Sequence, residues 1–322
     1  MPPTPGTFTW DFDAPEGVYK NHALSGQLLE LAAQDFVIVP FTQKVPDFGP
    51  KKGESITLVH YKNLPIPASA ALDASGRIPV DRLQQDTRLI KVAPFGRAVE
   101  VDSLSSLLSH FDPFDTAQKK LKIQMTQVMD ITAAAAFRRM KVSFTPTSAT
   151  GGTIDTDGTP SVAATSNLTK KHCGILRDYL ATNLHAPFYE GNHYIGLFTT
   201  KALRGLKNDS DIALWHQYLR KGDLIFNSEI GLVESIRMVE VTQEEAFSNS
   251  IGTAGVTGEG VVFGDEAVSR VEAETPHLRL EPNFGGNFGL QKACAWYGVI
   301  AYATTWDSAN DMEAKGIRWG SL

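Results

Sequence analysis

Two cysteines in 322 residues, Cys173 and Cys294, leave little room for a disulfide framework. Neither sits in a CxxC or related spacing, so both read as free thiols in a reducing compartment. A secretory leader is missing: "MPPTPGTFTWDFDAPEG" has neither a basic stretch nor an apolar one. No run of about 18 apolar residues occurs, which excludes a membrane-spanning helix. Basic excess is also missing. The net charge is −6, so no electrostatic footprint for gripping nucleic acid exists. The expectation is a protein made and used in a cytosol, able to touch nucleic acid but not to hold it by charge.

Catalytic signatures are scarce as well. There is no GxxxxGK[ST] phosphate loop and no GxSxG elbow. "GTAGVTGEG" is glycine-rich but has no lysine and does not open a helix, so it reads as a flexible loop. His172, Cys173, His185 and His193 fall close together, yet no spacing matches a zinc site. "DTDG" (Asp155–Gly158) begins like a calcium loop and lacks the closing glutamate, so it reads as a turn. Asp209 and Asp211 read as solvated caps before the next helix. No cofactor or metal is implied.

What is there is an ordinary globular composition, 42% apolar and 20% charged, with helices and strands interleaved. Residues 1–20 carry four prolines and read as an extended arm. "NHALSGQLLELAAQDF" reads as a short helix, and Val37–Phe41 as a strand. Gly53–Leu64 and Thr87–Val101 read as two strands, joined by a Pro/Ala/Asp-rich loop. They resemble a long two-stranded arm that needs a neighbour to lie on. The clearest helix runs from Asp115 to Lys141, roughly 40 Å, with Leu121, Met125, Met129, Thr132, Ala136 and Met140 on one stripe. Thr147–Asn167 reads as a loop or domain crossing, and "LTKKHCGILRDYLATN" as a helix. Then come a strand at Tyr194–Thr199, a helix at "DIALWHQYLR" and a strand at Glu229–Val241. A second loop covers Ser248–Gly260. Strands follow near Gly260–Phe263 and Leu278–Leu280, with a glycine turn at "NFGGNFG" and a final strand pair between Leu290 and Trp319.

"FNSEIGLVESIRMVEV" is the stretch where carboxylates crowd. Read as one strand, it places Glu234 and Arg237 on opposite faces. Glu229 and Glu234 are then about 17 Å apart, too far for a glycosidase pair at roughly 5–9.5 Å. Charged residues on a sheet surface are the favoured reading.

Three blocks in order carry a family resemblance: "YIGLFTTKALRGLKNDSDIALWHQYL", "IFNSEIGLVESIRMVEV" and "FGLQKACAWYGVIAYATTW". The chain resembles the major capsid proteins of tailed bacteriophages, and within them the short-tailed group with a large virion RNA polymerase. Ser228 stands where that pattern often has glycine, "FTTKALRGLKND" lacks the usual His-Pro, and "KACAWYG" is a loose match to the closing strand. The resemblance implies an α+β capsid fold. Its parts would be an N-terminal arm at 1–20, a peripheral domain from 21–41, 104–146 and 289–322, an extended loop at 42–103 and an axial domain at 147–288. It implies a non-enzymatic shell subunit, located in the virion and assembled in the host bacterial cytoplasm. Its partners would be copies of itself in hexamers and pentamers, a portal, a scaffolding protein, a cement or decoration protein, and packaged DNA bound without sequence specificity. No membrane partner is implied. Inter-subunit contacts would fall on Arg77, Arg82, Arg88 and Arg97 in the extended loop, with Lys51 and Lys52, and on Glu234 and Glu240. Bacterial encapsulins, which share this fold, are the alternative shell. A cytosolic hydrolase using Glu229, Glu234 or Glu240 is the alternative of another class, and a tail or sheath protein would form tubes instead.

Overall fold

The computed structural model describes residues 36–46, 48–62, 64, 67, 76, 78–102, 107, 113–209, 229–247, 260–280, 291–306 and 313–320. The expected N-terminal arm, the helix after it, Arg77, the helix at "DIALWHQYLR" and the "NFGGNFG" turn lie outside these residues. So does the glycine-rich loop, apart from Gly260 itself.

Thirteen strands are described: β1 (Gln43–Lys44), β2 (Ser55–Tyr61), β3 (Gln85–Lys91), β4 (Ala93–Asp102), β5 (Ser143–Ser148), β6 (Gly151–Asp155), β7 (Tyr194–Thr199), β8 (Glu229–Val233), β9 (Ile236–Val241), β10 (Gly260–Phe263), β11 (Val268–Leu280), β12 (Gln291–Thr304) and β13 (Gly316–Trp319). The α-helices are α1 (Pro113–Phe137), α2 (Lys170–Asp178) and α3 (Thr200–Lys207). A seven-stranded sheet runs β6-β5-β13-β10-β7-β9-β8, and a four-stranded sheet runs β1-β11-β12-β4. β2 and β3 form a separate two-stranded ribbon.

The long helix α1 packs between the two larger sheets. Leu121, Met129, Ala133 and Phe137 meet Ile195, Leu197, Val261 and Phe263 of the seven-stranded sheet, and Cys294, Trp296 and Ile300 of β12. The other face of the seven-stranded sheet is closed by α2 and α3, through Leu176, Leu203 and Leu206 on Phe198, Val262 and Trp319. Its central strands are therefore buried on both faces. That is why "YIGLFT" and "GVVF" carry no polar alternation.

Several sequence expectations are corrected. Val37–Phe41 is not a strand. It ends in a 3-10 turn, Val39–Phe41, because the Asp130 carboxylate of α1 accepts the N–H groups of Val37, Ile38 and Val39 at 2.9, 3.2 and 3.1 Å. Thr87–Val101 is not one strand. The chain changes sheet at Val92, leaving β3 on the ribbon while β4 pairs with β12. Only part of 42–103 is thus a projecting arm. The loop at Thr147–Asn167 contains β6, paired with β5. Residues 200–207 form a helix, with the Thr199 hydroxyl accepting the Ala202 N–H. Leu278–Leu280 is the end of a strand beginning at Val268. The last two strands are not partners: β12 lies in the four-stranded sheet and β13 between β5 and β10.

Glu229–Val241 is a hairpin. β8 and β9 are antiparallel, and Glu234 and Ser235 turn the chain with φ of 49° and 61°. Two positive φ values at the centre of a two-residue loop match the primed turn that suits the twist of a hairpin.

Candidate assembly surfaces

The β2–β3 ribbon has two unlike faces, because side chains alternate along each strand. Inward go Ile56, Leu58 and Ile90, which pack on Phe48, Val271, Ala301 and Ala303. Arg88 also points inward, and its Nη2 donates to Thr304 Oγ1 at 3.1 Å. Outward go Val59, Tyr61 and Leu89, which are 52%, 57% and 65% exposed. Ile78, Val80 and Leu83 continue this exposure beyond the strands. An apolar face left in water on a two-stranded ribbon marks a binding surface, since such a ribbon gains little stability alone.

The residues expected at inter-subunit contacts do not converge. Arg82 is exposed near the start of β3 and Arg88 is turned into the body. Arg97 is exposed on the edge strand β4, opposite Trp296. Glu234 stands at the tip of the β8–β9 turn, and Glu240 at the far end of β9 pairs with Lys207 Nζ at 3.1 Å. Six positions of strand separate the two glutamates, about 20 Å. They form no carboxylate dyad. Arg237, read as facing away from Glu234, lies 3.6 Å from Glu190 instead.

The histidines and cysteines have structural partners. His172 is buried and completes a capping box with Thr169. Its Nδ1 accepts the Thr169 N–H at 3.2 Å and its Nε2 donates to the Ser148 carbonyl at 2.8 Å. Burial lowers its pKa and holds it neutral. Cys173 is enclosed, and burial pushes its thiol up to about 12. Among the described residues no cluster of three or more His, Cys, Asp or Glu has the arrangement to hold a metal ion. Asp157 accepts the Thr159 N–H at 2.8 Å, making the turn expected at "DTDG". Asp209 accepts the Lys170 N–H at 3.0 Å and so serves the start of α2; the helix it was expected to cap lies outside the described residues.

Sequence reading missed the apolar outer face of the ribbon and the Asp130 joint. The first had a signal: Val59 and Tyr61 alternate with Leu58 and His60, so both faces of β2 are apolar in part.

No protein-family model matches the chain, and no curated protein does. Solved structures do. The chain is similar to the subunit in the cyanophage Pam1 capsid asymmetric unit, with a TM-score of 0.71 and 12% identity, covering 97% of this chain and 99% of that one. It is similar to the Ralstonia phage GP4 capsid chain, with a TM-score of 0.68 and 13% identity over 98% of each. The Helicobacter pylori bacteriophage KHP40 head chain gives 0.64 and 10%, over 97% of this chain and 99% of that one. The chain therefore has the α+β fold of phage capsid chains along nearly its whole length.

Proposed function

We propose that this chain is a major capsid protein of a tailed bacteriophage, which self-assembles into an icosahedral shell around double-stranded DNA. The observation that carries the reading is mutual coverage. Nearly all of this chain aligns with nearly all of several capsid chains, leaving little of either for another task. The exposed apolar face of the β2–β3 ribbon supports it, since a second copy would cover what one copy leaves in water.

In this reading α1 and the four-stranded sheet form the peripheral domain, and the seven-stranded sheet forms the core of the axial domain. The β2–β3 ribbon is the extended loop, and residues 1–20 are the N-terminal arm. Hexamers and pentamers of the chain build the shell in the host cytoplasm. Portal, scaffolding and decoration proteins are its other partners, and the acidic balance keeps packed DNA from adhering. The chain is not an enzyme. The "IFNSEIG" block supports the narrower placement among short-tailed phages with a virion RNA polymerase; finding that polymerase in the same particle tests it.

Negative-stain microscopy of the purified chain tests the shell itself. Uniform closed shells are expected, and discrete monomers at high concentration overturn the reading. Shells loaded with a co-purifying enzyme would move it to a cargo compartment. Val59→Asp with Leu89→Asp leaves the subunit folded and abolishes shells. Arg88→Glu or Arg97→Glu impairs assembly; normal shells from both would remove those residues from the contact set.

A further inference from the structure

One polar contact between the ribbon and the body differs from the others. His60 is on the inner face of β2, with its ring centroid 4.4 Å from that of Trp306. Its Nε2 lies 3.8 Å from Glu313 Oε2. Only 3% of the Glu313 side chain is exposed. Neither carboxylate oxygen accepts a hydrogen bond among the described residues. An ionised carboxylate buried without a donor is costly. Lys315, two residues on, is engaged elsewhere: its Nζ lies over the Trp306 ring and 2.6 Å from Glu266 Oε2.

We propose that His60 and Glu313 form a proton-operated latch, in which the imidazolium pairs with the buried carboxylate to seat the ribbon, and loss of that proton releases its outer half. Position makes the latch effective. The apolar packing of Ile56, Leu58 and Ile90 holds the inner part of the ribbon. His60 lies beyond it, one residue from the end of β2. The charged groups around His60 are Glu313, Lys315 with its partner Glu266, and, on β3, its cross-strand neighbour Asp86 and Arg88. With a neutral imidazole this set carries one net negative charge, and the imidazolium cancels it. A neutral imidazole carries a single N–H and can face Glu313 with a bare Nε2, whereas the imidazolium has a donor on both nitrogens and adds its charge to the pairing. The latch belongs to the single chain and does not depend on what shell the chain builds.

Hydrogen exchange on the full chain tests it, with rates corrected for the intrinsic effect of pH. Amides of β2 and β3 are compared at about pH 5.5 and about pH 8. In the native sequence, protection at the lower pH is expected to exceed that at the higher by roughly tenfold or more, as for a charge-assisted contact. His60→Gln should be flat with pH, at the weakly protected level. His60→Lys should be flat at the strongly protected level, because its cation persists. A native chain without the pH difference overturns the latch, as does either variant that retains it. Should one variant fail to fold, the other still decides.

Discussion

Asp130→Ala is the substitution that should damage this fold most for its size. The carboxylate has no solvent exposure and accepts three backbone N–H groups of residues 37–39. Ile38 and Val39 beside them are buried in the core shared by both sheets. Removing the carboxylate leaves two routes. The N–H groups stay buried without an acceptor, at about 1–3 kcal/mol each. Or the segment lifts away, exposing Ile38 and Val39 at about 2 kcal/mol each. Relief of the buried charge offsets part of either. A net loss of about 3 kcal/mol is expected, a large fraction of a typical domain's stability. Asp130→Asn keeps the shape and one carbonyl acceptor, and should cost about half as much. Denaturant unfolding measures the loss, and hydrogen exchange at Val37, Ile38 and Val39 locates it. A pH scan adds a sign. Burial outweighs the three N–H bonds and raises the Asp130 pKa. Between that raised value and the unfolded value near 3.9 the native state binds more protons than the unfolded chain. This group's contribution to stability therefore rises as pH falls through the folded value. An Asp130→Ala chain within about 0.5 kcal/mol of the native one, the ordinary range for surface changes, would refute the reasoning.

Three further substitutions probe separate joints. Arg318 of β13 donates from Nη1 to the Arg138 carbonyl at 2.9 Å and from Nη2 to the Gly158 carbonyl at 2.6 Å; Arg318→Met should lose about 1–3 kcal/mol in denaturant unfolding, by leaving two half-buried acceptors unmet. A Cβ at Gly260 would strike the Phe198 ring and come within 2.7 Å of the Leu197 carbonyl, so Gly260→Ala should lower stability by about 1–3 kcal/mol in a melting experiment. Replacing Glu234 and Ser235 by Asn and Gly should raise stability by about 0.5–1 kcal/mol in the same assay, since both positions hold positive φ.

The parts legible in the sequence are those where one physical demand dominates. Tyr194–Thr199 and Gly260–Phe263 have the expected bounds, because two-faced burial writes an unbroken apolar run. The long helix is legible from its stripe, with its end at Phe137 and not Lys141. The failures come where tertiary contact overrides local signal. Glu-Ser is a poor turn pair and the apolar residues continue through it, so the β8–β9 hairpin reads as one strand. The stretch that forms α3 carries no reading from the sequence, and Gly205 interrupts its helical pattern. Its Cβ would lie 2.6 Å from Asn167 Cβ, so glycine lets the helix approach that segment. Asp130 sits in the helix interior, where a polar residue reads as solvent-facing. Its three partners are more than 90 positions away, and no local pattern reports them. The exposed apolar face of the ribbon is the least legible of all, because a charged or β-branched strand pattern does not say which apolar side chains stay in water.

Connectivity explains why the ribbon is the part that can change position. The chain passes from β10 in one sheet directly to β11 in the other, and from β12 back to β13. Helix α1 buries residues against both sheets at once. Sliding one sheet past the other would break all of these joints together, and a close-packed core resists such graded deformation. The ribbon is joined to the four-stranded sheet at Val92, between β3 and β4, but no helix packs it against both larger sheets. Among the described residues its two strands pair only with each other, and its inner face meets the body at a small apolar cluster, at Arg88 and at His60. A change at any one of these contacts alters a large share of what holds it. Its outer apolar side chains, Val59, Tyr61 and Leu89, stay in water, so the ribbon is held from one face only.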